Sequence, residues 1–167
     1  MKDVKFAHPI SQLQVRACMS IEGVGAMEFI HCIMTGEAYK AILKKHLRKA
    51  ADKLFDGGTW KFQQDNDPKH KSKTVMNWLR EEEIELVEWP ACSPDMNVQE
   101  NLHSTWKDRV DALHPTTKDD LRKKIKRVFS ELTKEATQPR VASMERRVRV
   151  LKKAKGGHTV LTWYFVK

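Results

Sequence analysis

Phe62-Gln63-Gln64-Asp65-Asn66-Asp67-Pro68-Lys69-His70 is the stretch on which the reading of this 167-residue chain turns. Thr59 to Gln64 has the makeup of a short strand, so Asp65 arrives at a strand's C-terminal end, where open α/β sheets gather their ligands. Glu100 follows after 34 intervening residues, at the opening of an apolar-striped helix. Carboxylates brought together by a strand end and a helix start suit Mg²⁺ or Mn²⁺, hard cations that prefer oxygen. Two such ions ~3.5–4 Å apart stabilise the attacking and leaving oxygens of an in-line phosphoryl transfer. A full two-metal site commonly takes more than two carboxylates. Plainer readings stand beside this one. Asp65-Asn66-Asp67-Pro68 also fits an Asx turn before a helix, and Asn97-x-x-Glu100 is close to a capping box. Glu100-x-x-His103 resembles half of a di-iron motif, but no second Glu-x-x-His accompanies it. His70 reads as a loop or phosphate-contacting histidine rather than a metal ligand.

Upstream, residues 1–11 read as irregular, with Pro9 arguing against a central strand. Leu13, Val15, Ala17 and Met19 then alternate with polar partners, which predicts a half-buried strand from Gln12 to Ile21. Turn glycines at Gly23 and Gly25 and a second strand from Ala26 to Met34 complete an antiparallel hairpin. Thr35 is placed to cap a helix from about Gly36 to Phe55, with Tyr39, Ile42, Leu43, Leu47, Ala50 and Leu54 on one face and Asp56-Gly57-Gly58 as its stop.

Downstream, Asp67-Pro68 is a plausible cap and first-turn proline for a helix carrying Val75, Met76 and Leu79. Ile84 to Trp89 makes a further short strand, and the strand–helix–strand order implies a right-handed crossover with the two strands parallel. After a loop over Pro90–Asn97 come three helices with stripes Val98, Leu102, Trp106, Val110; Leu121, Ile125, Val128, Leu132; and Val141, Met144, Val148, Leu151. Thr117 with Asp120 makes a capping-box start for the second. Gly156-Gly157 ends the third, and Thr159 to Val166 alternates like a strand. The whole is an α/β domain with a mixed sheet.

Composition sets the surroundings. The chain's length suits a single domain, and 40% apolar with 32% charged residues is the balance of a soluble globular protein. No apolar run approaches the ~20 residues of a membrane helix and no signal peptide is evident, which predicts the cytosol or nucleus. Cys18, Cys32 and Cys92 lack metal-ligand spacing and read as buried free thiols of a reducing compartment. The net charge of +9 is segregated: Leu121 to Lys167 holds 14 Lys/Arg against 3 Asp/Glu, net +11, while residues 1–120 hold 17 against 19, net −2. Lys123, Lys124, Lys126, Arg127, Arg146, Arg147, Arg149, Lys152 and Lys153 lie largely off the apolar stripes, within a basic helical segment spanning 116–155. That concentration favours nucleic-acid contact over a merely solvated face.

Several segments together carry a resemblance. Phe62 to His70, Val87-Glu88-Trp89-Pro90, Ser93-Pro94-Asp95-Met96-Asn97, Glu100-Asn101-Leu102 and Lys153-Ala154-Lys155-Gly156-Gly157-His158-Thr159 resemble the catalytic domain of mariner-superfamily DDE transposases, in the branch with glutamate as the third acid. The likeness runs from about Val4 to Thr159 with its order and gaps intact. It implies a single ribonuclease H-like domain over 1–167, with Asp65 as the second acid and Glu100 as the last, both on Mg²⁺ or Mn²⁺. The implied reaction is hydrolysis of a DNA phosphodiester at the transposon end, followed by attack of the freed 3′-hydroxyl on target DNA. Lys69, His70 and the basic helices become DNA contacts, the location becomes the nucleus, and the partners are DNA and a second copy of the chain, with no membrane and no small-molecule substrate.

The departures are equally specific. In that family the first acid ends the first, central strand, and no residue here matches it; Asp3 precedes a loop that follows that strand in the family. Val98 stands where proline is favoured and His103 where tryptophan is. Lacking its first strand, the sheet would have two open edges, to be filled by Val160–Val166 or by the N-terminal arm. The resulting expectation is a transposase-like domain with impaired cleavage, the alternative being a domesticated, non-catalytic DNA-binding or interaction module.

Overall fold

The computed structural model describes residues 2–8, 11–31, 33–88 and 98–153. Three antiparallel strands, β1 (Lys2–His8), β2 (Ser11–Ser20) and β3 (Gly23–Ile30), form a sheet in the order β1-β2-β3. Five helices follow: α1 (Gly36–Phe55), α2 (Lys73–Glu81), α3 (Val98–Asp111), α4 (Lys118–Ser130) and α5 (Lys134–Lys153). The expected hairpin is present with shifted ends, and Gly23 at φ +132° supplies the left-handed backbone that its turn needs.

The first strand corrects the irregular reading of residues 1–11. Lys2 pairs with Ala17 and His8 with Ser11, so the N-terminal arm occupies the edge of β2 over residues 11–17. Pro9 falls after the strand rather than inside it. What holds the arm is Phe6, which is 1% exposed and meets Trp106 of α3 edge-on at 5.0 Å. Of the two gap-filling segments, the arm therefore covers part of the open edge; Val160–Val166 lies outside the described residues, as do the Pro90–Asn97 loop, Trp89, Gly156-Gly157, Cys32 and Cys92. Cys18 is a half-buried free thiol.

β2 is buried on both faces. Leu13, Val15 and Ala17 face a core closed by Leu102, Trp106 and Val110 of α3 and by Leu121, Ile125 and Val128 of α4. On the opposite face, Cys18 packs against a second core built from Tyr39, Leu43 and Leu47 of α1, Val75, Trp78 and Leu79 of α2, and Phe62 and Ile84. The stripes read from the sequence are thus the faces that close these cores, except in α5, where Val141, Met144, Val148 and Leu151 are only half-buried.

Local capping explains the helix boundaries. Thr35 Oγ1 accepts the Ala38 amide at 3.2 Å, and Asp56, in the left-handed region at φ 46°, ends α1. Thr117 Oγ1 likewise accepts from Asp120 N–H at 3.1 Å to open α4. At α2 the expectation fails: the helix starts at Lys73 after Ser72, not at Asp67-Pro68. Asp67 instead closes a separate turn, its carbonyl accepting from His70 N–H at 2.9 Å and its Oδ1 from Lys69 N–H at 2.9 Å. The parallel pairing after Thr59 is real but reduced to one bridge, Phe62 to Leu86.

Candidate active site

Asp65 follows the buried Gln64 directly, at the end of the segment that bridges to Leu86. Its Oδ1 accepts the Asp67 amide at 3.1 Å, so the Asx turn anticipated for this tetrapeptide exists. The same oxygen lies 2.6 Å from Nδ1 of His70. The turn and the acidic role are compatible, because both contacts use one oxygen and the Asp65 side chain remains 38% exposed, against 2% for His70.

Behind Asp65 stands a buried polar chain that the sequence did not reveal. Nη1 of Arg16, on β2, lies 2.7 Å from Nε2 of His70, and both side chains are almost wholly buried. Arginine has donors only, so Nε2 accepts and the ring proton sits on Nδ1, donated to Asp65. Burial, reinforced by the Arg16 charge, holds the His70 pKa below its ordinary value despite the opposing pull of Asp65. His70 is therefore a neutral donor. Tyr39 of α1 stacks on it with ring centroids 4.1 Å apart, the Arg16 guanidinium lies 4.5 Å from the Tyr39 ring centroid, and Tyr39 Oη donates to Gln64 Oε1 at 3.1 Å. Gln64 Nε2 returns to the His70 carbonyl at 3.3 Å, closing the ring of contacts. His70 thus lies in the turn before α2, as expected of a loop residue, with its side chain buried as a support for Asp65.

Lys69 takes the opposite part. Its ammonium lies 3.2 Å from Asp67 Oδ2 at the surface. Burial alone would raise the Asp67 carboxyl, but the Lys69 amide and ammonium outweigh it and hold the pKa low.

Glu100 is the third residue of α3, as expected of an acid opening a helix; its side chain lies outside the description, as does that of Asp3. The neighbouring Gln99 donates from Nε2 to the Ala17 carbonyl at 3.5 Å. The first turn of α3 thus sits against β2 one residue from Arg16, so the two elements bearing the acids converge on the same stretch of β2. Among the described residues no group of three His, Cys, Asp or Glu side chains is placed to hold a metal. Asp65 nonetheless fits a hard cation as one ligand: it is a half-exposed carboxylate whose orientation two donors fix.

The basic helices do not present all their charge to a partner. Lys124 pairs with Asp120 at 2.7 Å, Arg127 with Glu131 at 3.0 Å, and Arg149 with Glu145. Arg147 Nε donates to Ser143 Oγ at 3.0 Å, and Lys126 lies 5.8 Å from the Phe29 ring centroid. Lys123, Arg146, Lys152 and Lys153 are exposed, with no carboxylate partner among the described residues. No helix among the described residues is long and apolar enough to cross a membrane.

Comparison with known proteins gives the family and the fold. Residues 10–122 match the family described as DDE superfamily endonuclease. The Tcb1 transposase of Caenorhabditis briggsae is 31% identical over 149 residues, covering 89% of this chain and 54% of its own length. The Tc1 transposase of Caenorhabditis elegans is 28% identical over 149 residues with the same coverage, so the chain spans about half the length of the curated relatives it matches. The Mos1 transposase catalytic domain solved with Raltegravir and Mn superposes with a TM-score of 0.80 at 16% identity, over 95% of this chain and 82% of that one. A crystal structure of the Mos1 mariner transposase catalytic domain gives 0.77 at 18% identity, over 95% and 80%. The fold shared with the Mos1 catalytic domain is ribonuclease H-like, and this chain belongs to the DDE superfamily endonucleases.

Proposed function

We propose that this domain acts on DNA, binding it through its basic helices and directing Asp65 and Glu100, with Mg²⁺ or Mn²⁺, at a phosphodiester. The observation that carries this reading is the setting of Asp65: a strand-end carboxylate with one oxygen fixed by the Asp67 amide and by neutral His70, and the side chain open to solvent. The solved relatives support the partner and the metal, since Mos1 structures include a paired-end complex with the left transposon end, a strand transfer complex, and catalytic domains with Mn and with Mg. A bound divalent cation supplies charge stabilisation to the attacking and leaving oxygens. Asp65 and Glu100 would hold it, His70 keeps Asp65 from swinging, and Lys123, Arg146, Lys152 and Lys153 are the cations available to phosphates. DNA as substrate places the work in the nucleus, and joining two DNA ends calls for two copies of the chain.

The second reading, a DNA-binding module without catalysis, draws on the +11 charge of residues 121–167. Plasmid nicking with Mn²⁺, compared between the wild type and Asp65→Asn, separates the two. Nicking that disappears in the variant supports the enzyme; equal residual nicking, with salt-dependent DNA affinity kept in both, supports the module.

A further inference from the structure

Strand β3 is an outer strand of the sheet: it pairs with β2 on one side, and among the described residues no strand pairs with the other. Every second residue of such a strand turns its N–H and C=O away from the sheet, an edge that folded chains ordinarily guard with lysine or proline on the strand itself. β3 has neither. From Gly23 to Ile30 it holds a single charged residue, Glu28, and that carboxylate is taken by Lys45 at 2.9 Å and His46 at 2.6 Å, both on α1. The cations stand beside the strand instead, on both faces of the sheet. On one face α1 runs antiparallel to β3, with Lys45 against Glu28 and Lys53 donating to the Val24 carbonyl at 3.3 Å. From Lys45 to Lys53 the helix advances ~12 Å, and from Val24 to Glu28 the strand advances ~13 Å, so the two elements keep step. Lys49, four residues from each of the two lysines, falls between them on the same ridge and is exposed. On the other face, Arg122 and Lys126 of α4 each lie 5.8 Å from the Phe29 ring centroid, and Arg122 reaches His31, just past the strand, at 3.5 Å.

We propose that the outer edge of β3 takes an extended acidic segment of a partner protein, added to the sheet as a further strand. A polypeptide suits this edge better than a nucleic acid. The edge offers donors and acceptors in alternation, which a peptide backbone matches, whereas a phosphodiester backbone brings acceptors alone. Charge then selects the side chains. Lysines four apart on a helix recur every ~6 Å, and side chains on one face of a strand every ~6.7 Å, so acids at three alternate positions of the incoming strand meet Lys45, Lys49 and Lys53 in register. The positions between them lie on the face of Phe29, where an apolar side chain packs against the ring between Arg122 and Lys126. Cations on both sides of the edge also repel a basic strand, so the surface discriminates by charge as well as attracting.

Fluorescence anisotropy with the intact chain and a labelled peptide of about eight residues, alternating glutamate and valine, tests this. Saturable binding is expected, weakened about 10-fold or more by Lys49→Glu and Lys53→Glu together, and absent for the same peptide with lysine in place of glutamate. A second arm leaves the protein untouched. N-methylating every second residue of the peptide should abolish binding in one phase and spare it in the other, because only one set of amides faces β3. Lack of saturable binding would overturn the proposal, and so would indifference to methylation in both phases, which reduces the contact to charge alone. A DNA duplex that displaces the peptide, and itself loses affinity equally in the Lys49→Glu, Lys53→Glu chain, would also sink it by assigning the surface to nucleic acid.

Discussion

Because Arg16 can only donate, His70 must meet it with a bare Nε2 and keep its proton on the side that faces Asp65. Arg16→Met breaks that order: the methionine fills similar space, but His70 loses the donor that fixes its tautomer. We expect a loss of about 1–3 kcal/mol of stability, read as a lower urea midpoint with an unchanged slope. The depressed His70 pKa has its own signature. A histidine that the fold keeps neutral lets the unfolded chain bind more protons, so its contribution is complete above about pH 6.5 and falls away as the pH drops below that value. His70→Asn should flatten this acid limb in a series of urea melts; an identical limb in the variant would assign the acid sensitivity to other groups. The place of Asp65 at the end of the Phe62 segment and its Asx turn were legible in the sequence, while its role as an acid was implied by the resemblance alone. Arg16 was not legible, since an arginine inside an alternating strand reads as an outward-facing residue, and only the arrival of Tyr39 and His70 from distant segments buries it.

Helices were the legible elements, because each carries its signal locally in an apolar stripe, and α1 and α4 open on a capping threonine. Thr117→Ala should cost about 1 kcal/mol through the lost bond to Asp120 N–H, measurable by urea denaturation. The start of α2 escaped the same logic, as Asp67 spends its cap on Lys69 and the helix waits for Ser72. β1 escaped for a different reason: its partners are the edge of β2 and Trp106, neither of which its own seven residues announce. Strand β3 meets α1 at Gly25, where an added Cβ would stand 2.6 Å from Cys18 Sγ and 3.0 Å from Ala50 Cβ. Gly25→Ala is expected to lose about 1–3 kcal/mol by overpacking, and Cys18→Ala in the same chain should recover part of it by vacating the tightest contact. Independent, additive losses would show that the backbone, not the thiol, sets the limit.

At the scale of the molecule, the sheet divides two cores that the sequence presents as one list of apolar residues. Trp106 is the centre of the first: it is fully buried, packs against Phe6 and Phe129, and donates its indole N–H to the Ile125 carbonyl at 3.1 Å. Trp106→Ala should cost about 3–5 kcal/mol, enough to broaden or abolish the thermal transition of a domain this size. The segregated charge was also legible, but not how much of it is spent inside the helices. Replacing Lys123, Arg146, Lys152 and Lys153 with alanine should flatten the salt dependence of DNA binding by up to ~4 in the log–log slope, while the same change at the paired Lys124 and Arg127 should move it less. The Phe6–Trp106 contact, finally, is also a matter of time. At roughly 5–20 residues per second, synthesis leaves the N-terminal arm waiting about 5–20 s for the aromatic ring that pins it, so β1 leaves the ribosome long before anything can hold its buried face. During that interval β1 lacks its cover from α3, and a chaperone that grips short apolar segments would find it before α3 does.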